Sequence, residues 1–269
     1  MSNTSIPPAG AGGNDPEAIA RGRLSEKHLE DLRSSGLSWE TIVRGGYRTV
    51  GDPKAVGELL KRRDGGKLGA CLLFPYFDID GNPVDGYVRA KPDCPPASRK
   101  ENGKPAKYLS PTKAPIRPYF PPGVGDLLRD PAQTVAITEG EKKAAVIGQL
   151  GVGVVGLAGV ECWSKARPRG EDGRAVGRRQ LLDDLAGLTW RGRTAYVAFD
   201  SDIGQKRDVQ RAETSLARAL SAAGAVVRLV RIPPADDGSK LGIDDYLVRQ
   251  PDPATALQAL FSQALDYSA

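Results

Sequence analysis

The stretch TVAITEGEKKAAVIGQL, residues 134–150, decides how this chain folds. Residues 134–138 are apolar or β-branched and suit a buried strand. Glu139 and Gly140 follow, and Gly140 permits a tight turn. From Glu141 the apolar residues recur at helical spacing, which predicts a helix over 141–150. The same unit recurs downstream. Residues 194–199 (TAYVAF) predict a strand that ends at Asp200-Ser201-Asp202. A helix over 209–223 then places Val209, Ala212, Leu216, Ala219, Leu220 and Ala223 on one face, with Gly224 as its stop. Strands are also expected at 152–157 and 226–232. Helices are expected at 178–188, 244–249 and 254–265. Strands alternating with helices predict a parallel sheet of about four strands with flanking helices, a Rossmann-like α/β fold.

Upstream the character differs. Residues 1–20 are rich in Gly, Pro, Ser and Asn, and a disordered tail is expected there. Ser25 can cap a helix over 25–33, and Ser38 a short second one. A third helix is expected over 53–63. Residues 70–77 and 84–90 flank Asp80-Gly81-Asn82 as a hairpin. The segment 91–123 is dense in Pro and charge, with a short strand expected at Tyr108-Leu109. This organisation gives a tail (1–20), a smaller N-terminal α+β module (21–122) suited to nucleic-acid binding, and an α/β domain (123–269).

Composition narrows the function. Of 269 residues, three are Cys and one is His. A zinc site needs about four such ligands in close pairs, so no zinc is expected. A lone His28 within a helix also argues against Ser-His-Asp or Cys-His catalysis. No apolar run is long enough to cross a bilayer and no signal pattern opens the chain, so a cytoplasmic protein without membrane partners is expected. The net charge of +5 is compatible with a polyanion partner. Its distribution says more. Basic residues group at Lys61, Arg62, Arg63 and Lys67, at Arg99, Lys100, Lys104 and Lys107, and between Lys165 and Arg179. The last two groups lie in Pro/Gly-rich loops, which suit phosphate contacts.

In an open parallel sheet, ligands bind beyond the carboxyl ends of the strands. Two such ends are acidic here, one at Glu139 and one at Asp200 with Asp202. Residues two apart on extended backbone point the same way, so Asp200 and Asp202 are expected to converge. Three carboxylates facing one crevice repel one another unless a cation sits among them. Hard oxygen ligands in small number suit Mg2+ or Mn2+. Glu141, in Thr138-x-x-Glu141, fits a capping box, and Asp244 reads as the cap of the penultimate helix. Lys142 and Lys143, in the first turn after Glu139, suit a phosphate, as do Lys206, Arg207 and Arg211 beyond Asp202.

The segments Ile137-Thr138-Glu139-Gly140-Glu141-Lys142-Lys143-Ala144 and Phe199-Asp200-Ser201-Asp202 resemble the two signature motifs of the toprim domain, shared by bacterial-type primases, topoisomerases and related nucleases. The resemblance is closest to the toprim-like domain of primase-like replication proteins from phages, plasmids and integrated elements. That group has segments similar to Lys107-Tyr108-Leu109-Ser110-Pro111 and to Lys240-Leu241-Gly242-Ile243-Asp244-Asp245-Tyr246-Leu247. The similarity covers nearly the whole chain after residue 20. It implies an acid/base or metal-ligand role for Glu139, Mg2+ ligation by Asp200 and Asp202, and a crevice position for Lys240. Two departures stand out. Lys142 and Lys143 occupy the region where many toprim primases carry an Asp, and the zinc module of cellular primases is missing.

The resemblance implies a toprim-type primase-like nucleotidyltransferase of a mobile genetic element, acting in DNA replication on single-stranded DNA and nucleotides. A toprim nuclease and a non-catalytic DNA-binding module of a replication initiator are the alternatives. No P-loop motif occurs in the sequence, so unwinding is expected from a separate helicase chain.

Overall fold

The computed structural model describes residues 15–98 and 105–268. The chain opens with α1 (Pro16–Arg23), capped by Asp15 and with Pro16 in its first turn. The expected disordered tail thus overlaps a helix from Pro16 onward, and residues 1–14 lie outside the described residues. Then come α2 (Glu26–Arg33) and α3 (Trp39–Arg44), capped by the Ser25 and Ser38 side chains as the sequence predicts. The next elements are β1 (Arg48–Val50) and α4 (Pro53–Leu59). The hairpin is β2 (Cys71–Phe77) and β3 (Pro83–Pro92). These strands form an antiparallel sheet in the order β1-β2-β3. Strand β1 is too short to show periodicity in sequence. Leu109 makes only an isolated bridge to Ala90.

The second half contains α5 (Gly125–Arg129), β4 (Val135–Glu139), α6 (Glu141–Gln149) and β5 (Gly153–Leu157). These are followed by α7 (Asp183–Ala186), β6 (Thr194–Ala198), α8 (Arg207–Ala222) and β7 (Val226–Leu229). The last elements are α9 (Ile243–Leu247), α10 (Pro253–Ser262) and β8 (Leu265–Asp266). The sheet order is β5-β4-β6-β7-β8. Strands β5, β4, β6 and β7 are parallel, and β8 closes one edge antiparallel. The expected four-strand sheet therefore gains a two-residue edge strand. The expected helix over 178–188 shrinks to α7, because Arg178 to Leu182 are not helical and Leu181 bridges back to Ser164.

One hydrophobic core runs through both halves. It joins Leu29, Leu32, Tyr47, Phe74 and Tyr76 to Tyr119, Ile137, Val155, Val197 and Leu216. Strands β4 and β5 are buried almost along their length, as parallel strands covered on both faces must be. Trp163 and Trp190 are buried, and Trp39 packs against the core, so the tryptophans serve packing. No helix among the described residues is long and apolar enough to cross a membrane.

Candidate functional site

Strands β4 and β6 are hydrogen-bonded neighbours, with Thr138 opposite Ala198. Their carboxyl ends therefore place Glu139 beside Phe199 and Asp200. The chain leaves β4 through Gly140, whose φ of 101° lies where a side chain would be strained. Helix α6 then starts at once and carries Lys142 and Lys143 in its first turn. After β6, Asp200 keeps extended backbone, whereas Asp202 lies inside a 3-10 turn, Ser201–Gln205. The expected extended D-x-D is thus a turn. Its two carboxylates still converge, because both reach the Lys240 ammonium, at 2.6 Å from Asp200 Oδ2 and 3.6 Å from Asp202 Oδ2.

Lys240 is held there by its neighbour. The Leu241 N–H donates to Ser201 Oγ at 2.8 Å, and the Ser201 N–H donates to the Leu241 carbonyl at 3.0 Å. Asp200 is 5 % exposed and also accepts from Lys143. Lys206 pairs with Asp202. A Cβ added at Gly242 would stand 2.5 Å from Asp244 Oδ1 and 2.6 Å from Lys143 Cε, so glycine lets these two side chains close over the loop.

The carboxylates differ electrostatically. Burial raises the Glu139 pKa, Asp200 adds to the rise and Lys143 opposes it. Burial likewise raises Asp244, against the pull of Lys143. Burial also works against the charge of Asp202, but Lys206 and Lys240 outweigh it and hold its pKa below the ordinary value. Burial disfavours the charge on Lys240 too, yet Asp200 and Asp202 raise its pKa.

The acidic ends open onto a crevice of about 1120 Å³ between the two sheets. Of the residues expected from sequence, Glu139, Lys142, Lys143, Asp200 and Lys240 line it. Lys206 stays beside Asp202. Arg207 and Arg211 stand exposed on α8 and are not among the lining residues. Lys142 does not turn toward the carboxylates. It donates to the Asp31 carbonyl and to Asp31 Oδ1, both at 3.1 Å, and Lys91 reaches the same oxygen at 2.7 Å. Lys107 lines the crevice, whereas Arg99, Lys100 and Lys104 lie outside the described residues.

Two capping assignments are corrected. Glu141 is not a cap: Gly140 is the N-cap of α6 and receives no side-chain bond. Glu141 is 1 % exposed and accepts from Tyr76 Oη and Arg89 Nη1, both at 2.7 Å. It ties α6 to the antiparallel sheet. Asp244 is not the cap of α9 either, since Asp245 Oδ2 accepts from the Gly242 N–H at 3.2 Å. Asp244 is 4 % exposed, lines the crevice and leaves Oδ1 without a hydrogen-bond partner. Arg89, Lys91 and Asp31 also line the crevice and were not predicted. Their only sequence signal is charge on strand β3 and helix α2, which a solvated surface would show equally.

The donor set suits a divalent cation. Among the described residues no three His, Cys, Asp or Glu form a ready-made metal cage. The positive groups among the carboxylates are ammonium groups instead. Lys240 already places a cation between Asp200 and Asp202, and its side chain is 48 % exposed, so it can swing aside. Carboxylate oxygens of this kind are ligands that Mg2+ or Mn2+ accepts.

A family model described as "Domain of unknown function (DUF3854)" matches residues 126–254. No curated protein matches the chain. Among solved structures, the Aquifex aeolicus primase (zinc-binding and RNA polymerase domains) superposes with a TM-score of 0.57 at 12 % identity. That likeness covers 94 % of this chain and 60 % of the Aquifex chain, so the chain spans less than two thirds of that relative. The RNA polymerase domain of Mycobacterium tuberculosis primase DnaG, in complex with double-stranded DNA bearing an overhang, gives 0.53 at 17 % identity over 89 % of this chain and 74 % of that one. A DnaG primase catalytic domain bound to single-stranded DNA gives 0.53 at 14 %, over 93 % and 77 %. The chain thus has the toprim fold of bacterial primase catalytic cores, with a smaller antiparallel sheet ahead of its parallel one.

Proposed function

We propose that the chain is a primase-like toprim protein of DNA replication, carrying out Mg2+-dependent nucleotidyl or phosphoryl transfer on single-stranded DNA. The observation that carries this reading is the meeting of Glu139 and Asp200 at adjacent strand ends, over a crevice walled by lysines. Glu139, Asp200 and Asp202 would hold the metal, Mg2+ or Mn2+, which when bound supplies a Lewis acid that neutralises phosphate charge. Lys143 and Lys240 are the cations free to turn from carboxylate to phosphate as a nucleotide or strand enters. Should Asp200 and Asp202 hold the metal by themselves, Glu139, whose charge burial disfavours, would instead be the group placed to accept or release a proton. Residues 123–269 form the catalytic part in this reading. Residues 21–122 supply the opposite wall, with Lys91 and Lys107 facing the strand and Arg89 held against Glu141 behind them.

The finer assignment, to a phage, plasmid or integrated element working with a separate helicase chain, rests on sequence segments alone, chiefly 107–111 and 240–247. The test is incubation with single-stranded DNA, Mg2+ or Mn2+ and labelled nucleotides. Labelled short products are expected. Shortened DNA would favour a nuclease, and a mobility shift alone a binding module. The double variant Glu139→Gln, Asp200→Asn is expected to lose the chemistry by a hundredfold or more, in the range of about 10²–10³ typical for loss of a charge-stabilising group. Activity that survives it would refute the site.

A further inference from the structure

Between Ser164 and Leu181 the chain leaves the sheet as a two-stranded ribbon. Its base is closed by the Ser164–Leu181 bridge and by the Lys165 N–H on the Gln180 carbonyl at 2.9 Å. Near its tip Arg169 bridges to Ala175, and the Val176 N–H donates to the Pro168 carbonyl at 2.9 Å. The base is anchored firmly. Arg179 lies 4.2 Å over the buried Trp163 ring and donates to Ser164 Oγ at 2.9 Å. Beyond the base the ribbon adds nothing to the core: Arg167, Arg169, Arg174 and Arg178 are all exposed, and so is Val176.

Its charge is out of proportion to its size. The ribbon holds six basic residues against Glu171 and Asp172, a net of four positive charges in a chain whose total is +5. Half of these residues are ion-paired, Lys165 with Asp183, Arg174 with Asp172 and Arg179 with Glu161, and half are not. Arg167 and Arg169 donate to the Gly177 and Gly173 carbonyls, at 3.4 and 2.7 Å. Neither they nor Arg178 form an ion pair among the described residues. Clustered like charges on a projection without a core disfavour folding, so an external anion is the natural partner.

Position identifies that anion. The ribbon grows from the carboxyl end of β5, where Leu157 lies opposite Glu139. The Gly140 N–H, next to Glu139, donates to the Leu157 carbonyl at 2.8 Å, so the chain that leads into the ribbon starts at the acidic strand end. We infer that the ribbon 164–181 is a clamp that grips the phosphate backbone of a nucleic-acid strand where it runs out of the crevice. This rests on the crevice being a nucleic-acid site.

The test compares the full-length wild type with the variant Arg167→Gln, Arg169→Gln, Arg174→Gln, Arg178→Gln, using fluorescent single-stranded DNA over a salt series. Single strands release roughly 0.7 counterion per neutralised phosphate, so losing four contacts flattens the slope of log Kd against log salt by about 2 to 3. On a long strand the variant is expected to show this flattening and at least tenfold weaker binding at low salt. On a short strand that the crevice can take whole, both proteins are expected to bind alike. The corresponding Arg→Lys variant keeps the charge and is expected to keep the wild-type slope; a slope that follows the Gln variant instead would overturn the clamp. Equal slopes and affinities for wild type and Gln variant on the long strand would also overturn it, with the crevice reading intact. Failure of the wild type to bind any strand would overturn the crevice reading first, and the clamp with it.

Discussion

The two walls of the crevice carry similar numbers of charged groups but treat them differently. On the wall formed by α2 and β3, charges are matched. Asp31 takes Lys91 and Lys142, Asp93 takes Lys27, and Arg89 donates to Glu141. On the wall formed by the ends of β4 and β6 and the start of α9, neither Glu139 nor Asp244 has an ion pair among the described residues, although both walls leave single buried atoms without a hydrogen bond, Asp31 Oδ2 and Arg89 Nε on the first and Asp244 Oδ1 on the second. The partners of Asp200 and Asp202 are lysines on flexible stems. A matched buried charge fixes geometry, whereas an unmatched one waits for a ligand. Glu139 and Glu141 show the contrast within one turn of chain. They are two residues apart, and only Glu141 is locked.

The largest effect should come from unlocking it. Glu141→Ala leaves Arg89, 8 % exposed, as a buried cation without its carboxylate, and removes the acceptor of Tyr76. Breaking a buried pair in this way costs about 3–5 kcal/mol. Urea unfolding should show that loss. A change under about 1 kcal/mol would mean that the pair is replaceable by water and that the first wall is not the rigid one.

The matched wall also makes a pH prediction, which is clean because His28 is the single histidine. Burial lowers its pKa, and the opposing pull of Asp93 does not restore it. The folded state therefore prefers neutral imidazole, hydrogen-bonded through Nδ1 to Thr49 Oγ1 at 2.8 Å. As pH falls below the unfolded value near 6.5, the unfolded chain takes up a proton that the folded one resists. Stability from this group is complete above that pH and is lost below it, by at most about 1.4 kcal/mol for each unit. Comparing wild type with His28→Asn at pH 7.5 and 5.5 cancels the carboxylates common to both. If the wild type instead gains relative stability at pH 5.5, His28 is an ion-pair member and the wall is ionic throughout.

The contrast between the walls was only half legible in the sequence. The α/β alternation was, because buried parallel strands are continuous apolar runs and α8 has one apolar face. The acidic crest followed in part, since Glu139 and Asp200 stand at the ends of strands whose interior leaves no place for charge, whereas Asp202 lies in the turn beyond. Helix α1 was signalled by Asp15-Pro16 but masked by the Gly- and Pro-rich residues around it. The matched wall was hidden because its pairs are remote: Glu141 meets Arg89 and Tyr76 from 52 and 65 residues away. A local capping pattern explained Glu141 equally well until those partners were placed. Asp244 failed in the same manner, with Asp245 one residue later taking the cap. Local chemistry predicts local bonds, and long-range charge matching has no sequence period to betray it.

The smallest effect should have the opposite sign. Glu139 is held where burial disfavours its charge, and the attraction of Lys143, itself opposed by Asp200, does not overcome that burial. Glu139→Gln removes the charge while keeping the shape. It should therefore leave stability unchanged or raise it, by less than about 1 kcal/mol, the usual scale when a functional site is relieved of its strain. The same variant should weaken binding of Mn2+, read directly by paramagnetic relaxation of water without any turnover. A clear loss of stability would show that Glu139 has a structural partner after all. The two walls would then differ in degree, and the unmatched carboxylate could no longer be used to locate the chemistry.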